Sequence, residues 1–350
     1  MTVEKINSAT INSSHDAFVI TGEEGIKVMN VQPLNLLRGL DTNEVGSLKL
    51  GTMLHRSNLV CFVGEGSKSK YADNTVMVYN NDKAKIVMDI TVPGGRILNI
   101  HVSYNRLVVV QARRLYIFQF PSKCKVIRTE EIALNPTGMS ALSTDDQCPQ
   151  MLAYPGFKTG TVSIMNLNSL SETESAAPIT INAHYTDIAQ LAINSQGTLV
   201  ATGSTKGTVI RVFETRTQNK LMELRRGTVQ VTLHCIAFSS CSSWLAVSSD
   251  KGTIHIFGIR DHENRNTSNK VLRHVGYNGN TNIAKVSVKS QCLALGFTKP
   301  TPTAMQSLIA VCADGSFHRF SFNQDGHVQR ECYEELLQLA GEQEFWQKIV

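Results

Sequence analysis

Seven times along the 350-residue chain, a glycine or small polar turn runs straight into a strand of alternating apolar residues. The copies read GIKVMNV from Gly25, TVMVYN from Thr75, RLYIFQF from Arg114, TGTVSIMNL from Thr159, GTVIRVF from Gly207, GTIHIF from Gly252 and GSFHRF from Gly315. Counted at residues 25, 75, 114, 160, 207, 252 and 315, the steps are 50, 39, 46, 47, 45 and 63 residues. An apolar strand often precedes the turn, as in LVATGS at 199–204 and LAVSSD at 245–250. Strand, turn and alternating strand make a hairpin, and a recurrence of roughly 40–45 residues marks four-stranded propeller blades. A single blade cannot hide both flat faces, so neighbours cover them and a closed ring completes the set. The pattern predicts an all-β, seven-bladed β-propeller with WD40-like blades over residues 1–330. The copies at 75 and 114 lack the Gly-Thr pair present at 160–161, 207–208 and 252–253.

The longest step, 63 residues, has its surplus after Phe257, in the polar stretch GIRDHENRNTSNKVLRHVGYNGNTN. It reads as a long loop of the sixth blade, residues 258–282. Within it Val271, Leu272, Val275 and Tyr277 are mixed with Lys270, Arg273 and His274. Apolar groups beside cations suit an interfacial membrane anchor, and a floppy insertion is the competing reading. Residues 331–350 lie beyond the last repeat and read as a tail. The spacing of Leu336, Leu337 and Leu339 there suggests a short helix.

Charge is unevenly placed. Residues 201–260 hold Lys206, Arg211, Arg216, Lys220, Arg225, Arg226, Lys251 and Arg260 against Glu214, Glu223 and Asp250. Eight minus three equals the net +5 of the whole chain. A local basic field recruits a local anion: nucleic acid, anionic lipid or an acidic protein. The eight cysteines include no CxxC pair, and no signal-peptide core opens the chain. No apolar run approaches the ~20 residues of a spanning helix. A reducing, cytoplasmic setting with peripheral membrane contact is the expectation.

The fifth and sixth repeats are near duplicates, Ser204-Thr-Lys206-Gly207-Thr208-Val-Ile-Arg211 and Ser249-Asp-Lys251-Gly252-Thr253-Ile-His255. Between them lies Leu224-Arg225-Arg226-Gly227, on the strand leading from blade five toward blade six. Successive strand side chains point to opposite faces, so the two arginines turn toward different blades. A phosphomonoester suits such surroundings: Arg offers a planar fork and Lys a compact charge. Hydroxyls and turn amides complete a cradle. Arginine pairs are also commonly solvated, and Ser-x-Lys-Gly-Thr is close to a generic blade turn. The residues alone leave both readings open. His184 sits where propeller repeats use a structural histidine, and it also edges the first pocket. His255 alternates with Thr253, which gives it a ligand-facing position.

These stretches resemble the PROPPIN family, the Atg18-like or WIPI WD-repeat proteins that interact with phosphoinositides. The likeness rests on LRRG at 224–227, INAHYTDIAQLAIN from Ile181, GTLVATGSTKGTVIRVFET from Gly197, SSDKGTIHIF from Ser248 and YPGFKTGTVSIMNL from Tyr154. It spans about residues 10–325 and, within the family, stands nearest the third and fourth human WIPI paralogues. The resemblance implies two sites for phosphatidylinositol 3-phosphate or 3,5-bisphosphate. The first would use Thr202, Ser204, Lys206, Gly207, Thr208, Arg211 and Arg225 with His184. The second would use Arg226, Gly227, Ser249, Lys251, Thr253 and His255. It further implies an adaptor of autophagosome formation, recruited to phagophore and endosomal or vacuolar membranes. In that role an Atg2-type lipid-transfer protein binds through blades one to three, and the loop at 258–282 meets the membrane.

Other readings find less in the sequence. GxGxxG after a strand, a P-loop, HExxH and GxSxG are all missing, so no enzyme, metal or cofactor is expected. Nucleic acid is disfavoured because exposed aromatics are not interleaved with the cations. A plain WD-repeat scaffold, its partner binding unaffected by charge reversal at 225–226, is the alternative. The lipid-binding protein is expected to be a monomer.

Overall fold

The computed structural model of the protein describes residues 6–169, 177–259, 282–299, 306–323 and 325–339. Seven four-stranded antiparallel sheets follow one another, spanning 6–40, 46–91, 99–131, 141–182, 188–225, 233–287 and 292–335. Within each sheet the four strands are adjacent in the order of the chain. All seven turn copies lie at the entry to the third strand of their sheet, for example Gly25–Asn30, Val209–Glu214 and Thr253–Gly258. Gly207 and Gly252 show why glycine is needed there. Their φ angles are +63° and +66°, and an added Cβ would stand 2.3 Å from Val231 O and 2.5 Å from Val288 O.

Seven apolar clusters among the described residues hold the ring, one at each junction between blades. This is the packing that the alternation demands: each strand sends successive side chains to two different neighbours. In blade five, Val200 and Phe213 join Ile164 and Ile181 of blade four. Ile210 and Leu224 join Leu245 and Val247 of blade six. Each fully buried aliphatic or aromatic side chain contributes about 1.5–3 kcal/mol.

Among the described residues the ring closes by face packing, without exchange of a strand between the first and last blades. Phe18 stacks on Phe317 with centroids 5.4 Å apart. The Ile6 amide donates to Ala313 O at 3.1 Å, and Lys27 Nζ donates to Leu337 O at 3.2 Å.

The expected tail begins later than 331. Val328–Glu335 is the outermost strand of blade seven, with Glu335 opposite Ser316. Leu336 is buried, Leu337 and Leu339 pack on the same blade-seven and blade-one cluster, and 336–338 form a turn. The strand wins because the edge of Ser316–Phe322 would otherwise carry unpaired backbone groups. Blade six leaves its third strand at Gly258 and resumes at Asn282, and the loop expected at 258–282 lies almost entirely outside the described residues. Lys270, Val271, Leu272, Arg273, Val275 and Tyr277 lie outside the described residues. Among the described residues no helix is long and apolar enough to cross a membrane.

Candidate functional site

The arginine pair closes blade five. Its second, third and fourth strands, Leu199–Ser204, Val209–Glu214 and Lys220–Arg225, pair so that Thr202 opposes Arg211, Arg211 opposes Glu223, and Val209 opposes Arg225. Alternation then sets Thr202, Ser204, Arg211, Glu223 and Arg225 on the face shared with Val200 and Phe213, toward blade four. His184 reaches this face from the connection between blades four and five. Its Nε2 is 3.0 Å from Thr202 Oγ1 and 3.2 Å from Thr202 O. The carbonyl only accepts, so Nε2 carries the proton. Burial lowers the His184 pKa to about 4, leaving the ring neutral at physiological pH.

Arg211 is committed on two sides: Nε donates to Glu223 at 2.9 Å and Nη1 to Ala183 O at 2.7 Å. Glu223 also accepts from Lys220 at 3.1 Å. Lys220's hydrogen bond, with those of Arg211, outweighs partial burial and holds the Glu223 carboxyl below the usual carboxylate range. Arg225 is exposed, and among the described residues no hydrogen bond or ion pair engages it. Its guanidinium is available to a ligand without first breaking a bond.

Arg226 behaves differently. It is only 9% exposed, and its Nε donates to Gly207 O at 2.7 Å and Nη2 to Val229 O at 2.6 Å. Two of its five N–H groups are thereby spent on backbone carbonyls. Burial lowers its pKa, and Asp250 opposes the shift; a guanidinium stays charged throughout the accessible pH range. The main chain fixes the same turn, with Thr208 O accepting from the Arg226 and Gly227 amides at 3.0 and 3.3 Å.

Blade six offers the opposing wall. Val247 opposes His255, His255 opposes Lys285, and Thr253 opposes Ser287. Leu245, Val247 and Phe257 pack toward blade five, so by alternation Ser249, Thr253 and His255 face it too. His255 is 4% exposed, stacks on Phe257 at 6.0 Å, and accepts at Nδ1 from Asn282 Nδ2 at 3.0 Å. Its pKa falls to about 4, first through burial and then through the cations Lys285 and Arg226. That coupling places Arg226, His255 and Lys285 in one neighbourhood. Ser249 Oγ is buried and has no hydrogen-bond partner among the described residues.

The positions expected from the sequence sort into three kinds. Arg225, Lys206 and Lys251 are exposed, and Thr208, Gly227 and Thr253 are half-buried. Thr202, Ser204, Gly207, Ser249 and His255 are buried; Thr202, at 0% exposure, holds His184 in place. The glycine amides expected to donate to a ligand are occupied instead: Gly207 N–H bonds Ser204 O and Gly252 N–H bonds Ser249 O. A tight turn must satisfy its own donors. Glu223 and Lys285 were not singled out by the sequence, yet each occupies the outer strand of its site. Glu223 could have been found two residues before Arg225. Lys285 could not, because its register depends on where the fourth strand begins, more than twenty residues after the third.

Two cavities, of about 640 and 480 Å³, open elsewhere. Arg96, Arg113, Arg114 and Phe157 line the larger, Leu134, Phe157 and Asp187 the smaller, and the site residues lie outside both.

Fold and surface together define a seven-bladed propeller with a basic rim at blades five and six. The chain belongs to the PROPPIN family, whose model matches residues 8–292. It is 44% identical over 355 residues to Ectopic P granules protein 6 of Caenorhabditis elegans, covering 99% of this chain and 91% of the relative. It is 33% identical to SVP1-like protein 2 of Pichia angusta, covering 72% of this chain and 69% of the relative. Kluyveromyces lactis Hsv2 superposes with a TM-score of 0.77 at 22% identity, covering 95% of this chain and 99% of that one. KlAtg21, solved in complex with the coiled coil of AgAtg16, superposes at 0.74 with 18% identity over 95% and 99% of the two chains. Several further relatives, 30–33% identical, are named Autophagy-related protein 18.

Proposed function

We propose that the protein is a phosphoinositide effector of autophagy that docks on membranes through two headgroup sites flanking Arg225 and Arg226. The observation carrying this reading is the split of adjacent arginines. One is free and serves the blade-four side; the other is anchored to Gly207 O and Val229 O, with its charge felt by His255 of blade six. The first site comprises Arg225, Lys206, Thr208 and Arg211, with Thr202, Ser204, Gly207 and His184 as its wall. The second comprises Arg226, Gly227, Lys251 and Thr253, walled by Ser249 and His255. The ligands are phosphatidylinositol 3-phosphate and 3,5-bisphosphate. Two weak contacts to one membrane reinforce each other through effective concentration.

In this reading the long blade-six loop adds an apolar foothold, and the propeller recruits an Atg2-type lipid-transfer protein through blades one to three at phagophore membranes. The relation to proteins named for autophagy supports the setting. A propeller of the same fold held with a coiled coil supports the adaptor role.

Flotation with vesicles containing phosphatidylinositol 3-phosphate tests the site. The double variant Arg225→Ala, Arg226→Ala is expected to lose binding while its circular dichroism matches the parent. A folded double variant that floats undiminished refutes it.

A further inference from the structure

The two candidate sites are built on one register yet differ in charge at one row. Offsets of 45, 44 and 62 residues superpose the second, third and fourth strands of blade five on those of blade six. The row Thr202, Arg211, Glu223 thus corresponds to Val247, His255, Lys285. At the same place on the outer strand, blade five has a carboxylate and blade six an ammonium.

Glu223 takes the hydrogen bonds of Arg211 and Lys220, so part of the cationic capacity of the blade-five face is already used. It stands two residues before Arg225 on the same strand face, about 7 Å along the chain. Blade six has no carboxylate in its row. Lys285 is exposed there, His255 is held neutral, and Arg226 is fixed by two carbonyls. Among the described residues, Asp250, in the turn beside Lys251, acts on Arg226.

We infer that the sites differ in the headgroup they accept: blade six takes a 3,5-bisphosphate, blade five a single 3-phosphate, with Lys285 and Glu223 as the residues that set the difference. The inference rests on the phosphoinositide reading above. A phosphomonoester has a charge of about −1.5 to −2 at neutral pH. A second one on a headgroup seated at Arg225 stays within a Debye length, about 8 Å, of Glu223 and is repelled. Seated at Arg226, it meets Lys285 instead. Reversing one charge at that range shifts affinity about three- to tenfold.

Soluble headgroups remove the contribution of two-site docking. Inositol 1,3-bisphosphate and inositol 1,3,5-trisphosphate would be titrated by calorimetry into full-length single-site variants. Arg225→Ala leaves the blade-six site, and Arg226→Gln leaves the blade-five site with a side chain of similar reach. With blade six alone, the trisphosphate is expected to bind about tenfold tighter than the bisphosphate, and adding Lys285→Gln abolishes that preference. With blade five alone the two bind alike, and adding Glu223→Gln raises trisphosphate affinity about threefold. Equal ratios in both single-site variants, or ratios unmoved by the second changes, overturn the inference. If Arg226→Gln does not fold, the Arg225→Ala pair decides it through Lys285, which is on the surface. A parent protein that binds neither compound overturns the phosphoinositide reading itself, and the charge assignment with it.

Discussion

Arg225 and Arg226 are neighbours with the same side chain, and their replacement by alanine is expected to have different effects on stability. Arg226 donates two charged hydrogen bonds to Gly207 O and Val229 O from a site only 9% exposed. Hydrogen bonds to charged groups contribute about 1.5–3 kcal/mol each in net terms. Water can reach part of what is uncovered, so the pair together is taken at about 2 kcal/mol. Arg225 is exposed and unengaged among the described residues, and its loss should change stability by less than about 0.5 kcal/mol. Unfolding entropy near 2.1 cal/mol/K per residue gives about 0.7 kcal/mol/K for 350 residues. The Arg226→Ala melting temperature should therefore fall by about 3 °C and that of Arg225→Ala by less than about 1 °C. Differential scanning calorimetry of both, beside vesicle flotation, separates stability from docking. Both single variants should lose part of the flotation. Equal melting shifts would refute the anchored-and-free assignment of the two guanidiniums.

Gly207→Ala and Gly252→Ala should each destabilise by more than about 1 kcal/mol, since each combines a left-handed φ with a Cβ placed against a carbonyl; urea titration measures it. Acidification should destabilise the protein through His101, His184 and His255, all lowered by burial to about 4. Their folded-state pKa values lie below the unfolded value near 6.5, so the unfolded chain binds more protons between these limits. Their stabilisation is complete above pH ~6.5 and lost as pH falls toward ~4. Melting curves across that range check it, and a flat profile contradicts the neutral, buried imidazoles. Vesicle binding should weaken as salt rises from 50 to 500 mM, because Lys206, Arg225, Lys251 and Lys285 are exposed; a salt-independent flotation profile would argue for apolar insertion as the dominant attachment.

Local periodicity was enough to read the blades. Gly25, Gly160, Gly207, Gly252 and Gly315 all occupy left-handed turns, a requirement that leaves its mark on one residue at a time. The opposite facing of Arg225 and Arg226 was legible for the same reason, because the strand period is two. Their unequal burial was not. It depends on Gly207 O and Val229 O, backbone groups that any sequence would supply and only the turn's path brings within reach. The boundary expected at 331 shifted because an unpaired strand edge, invisible to local spacing, recruited 328–335.

What the chain determines by itself is therefore periodic and local: seven hairpins, their glycine turns, and a charged segment between the fifth and sixth. What the tertiary structure decides is which cations are spent and which are free. Glu223 opposes Arg211, and Lys285 opposes His255, through strand pairings set by bulges and, in blade six, across more than twenty intervening residues. Sequence distance cannot encode such register, because it is fixed by where the apolar faces of adjacent blades come to match.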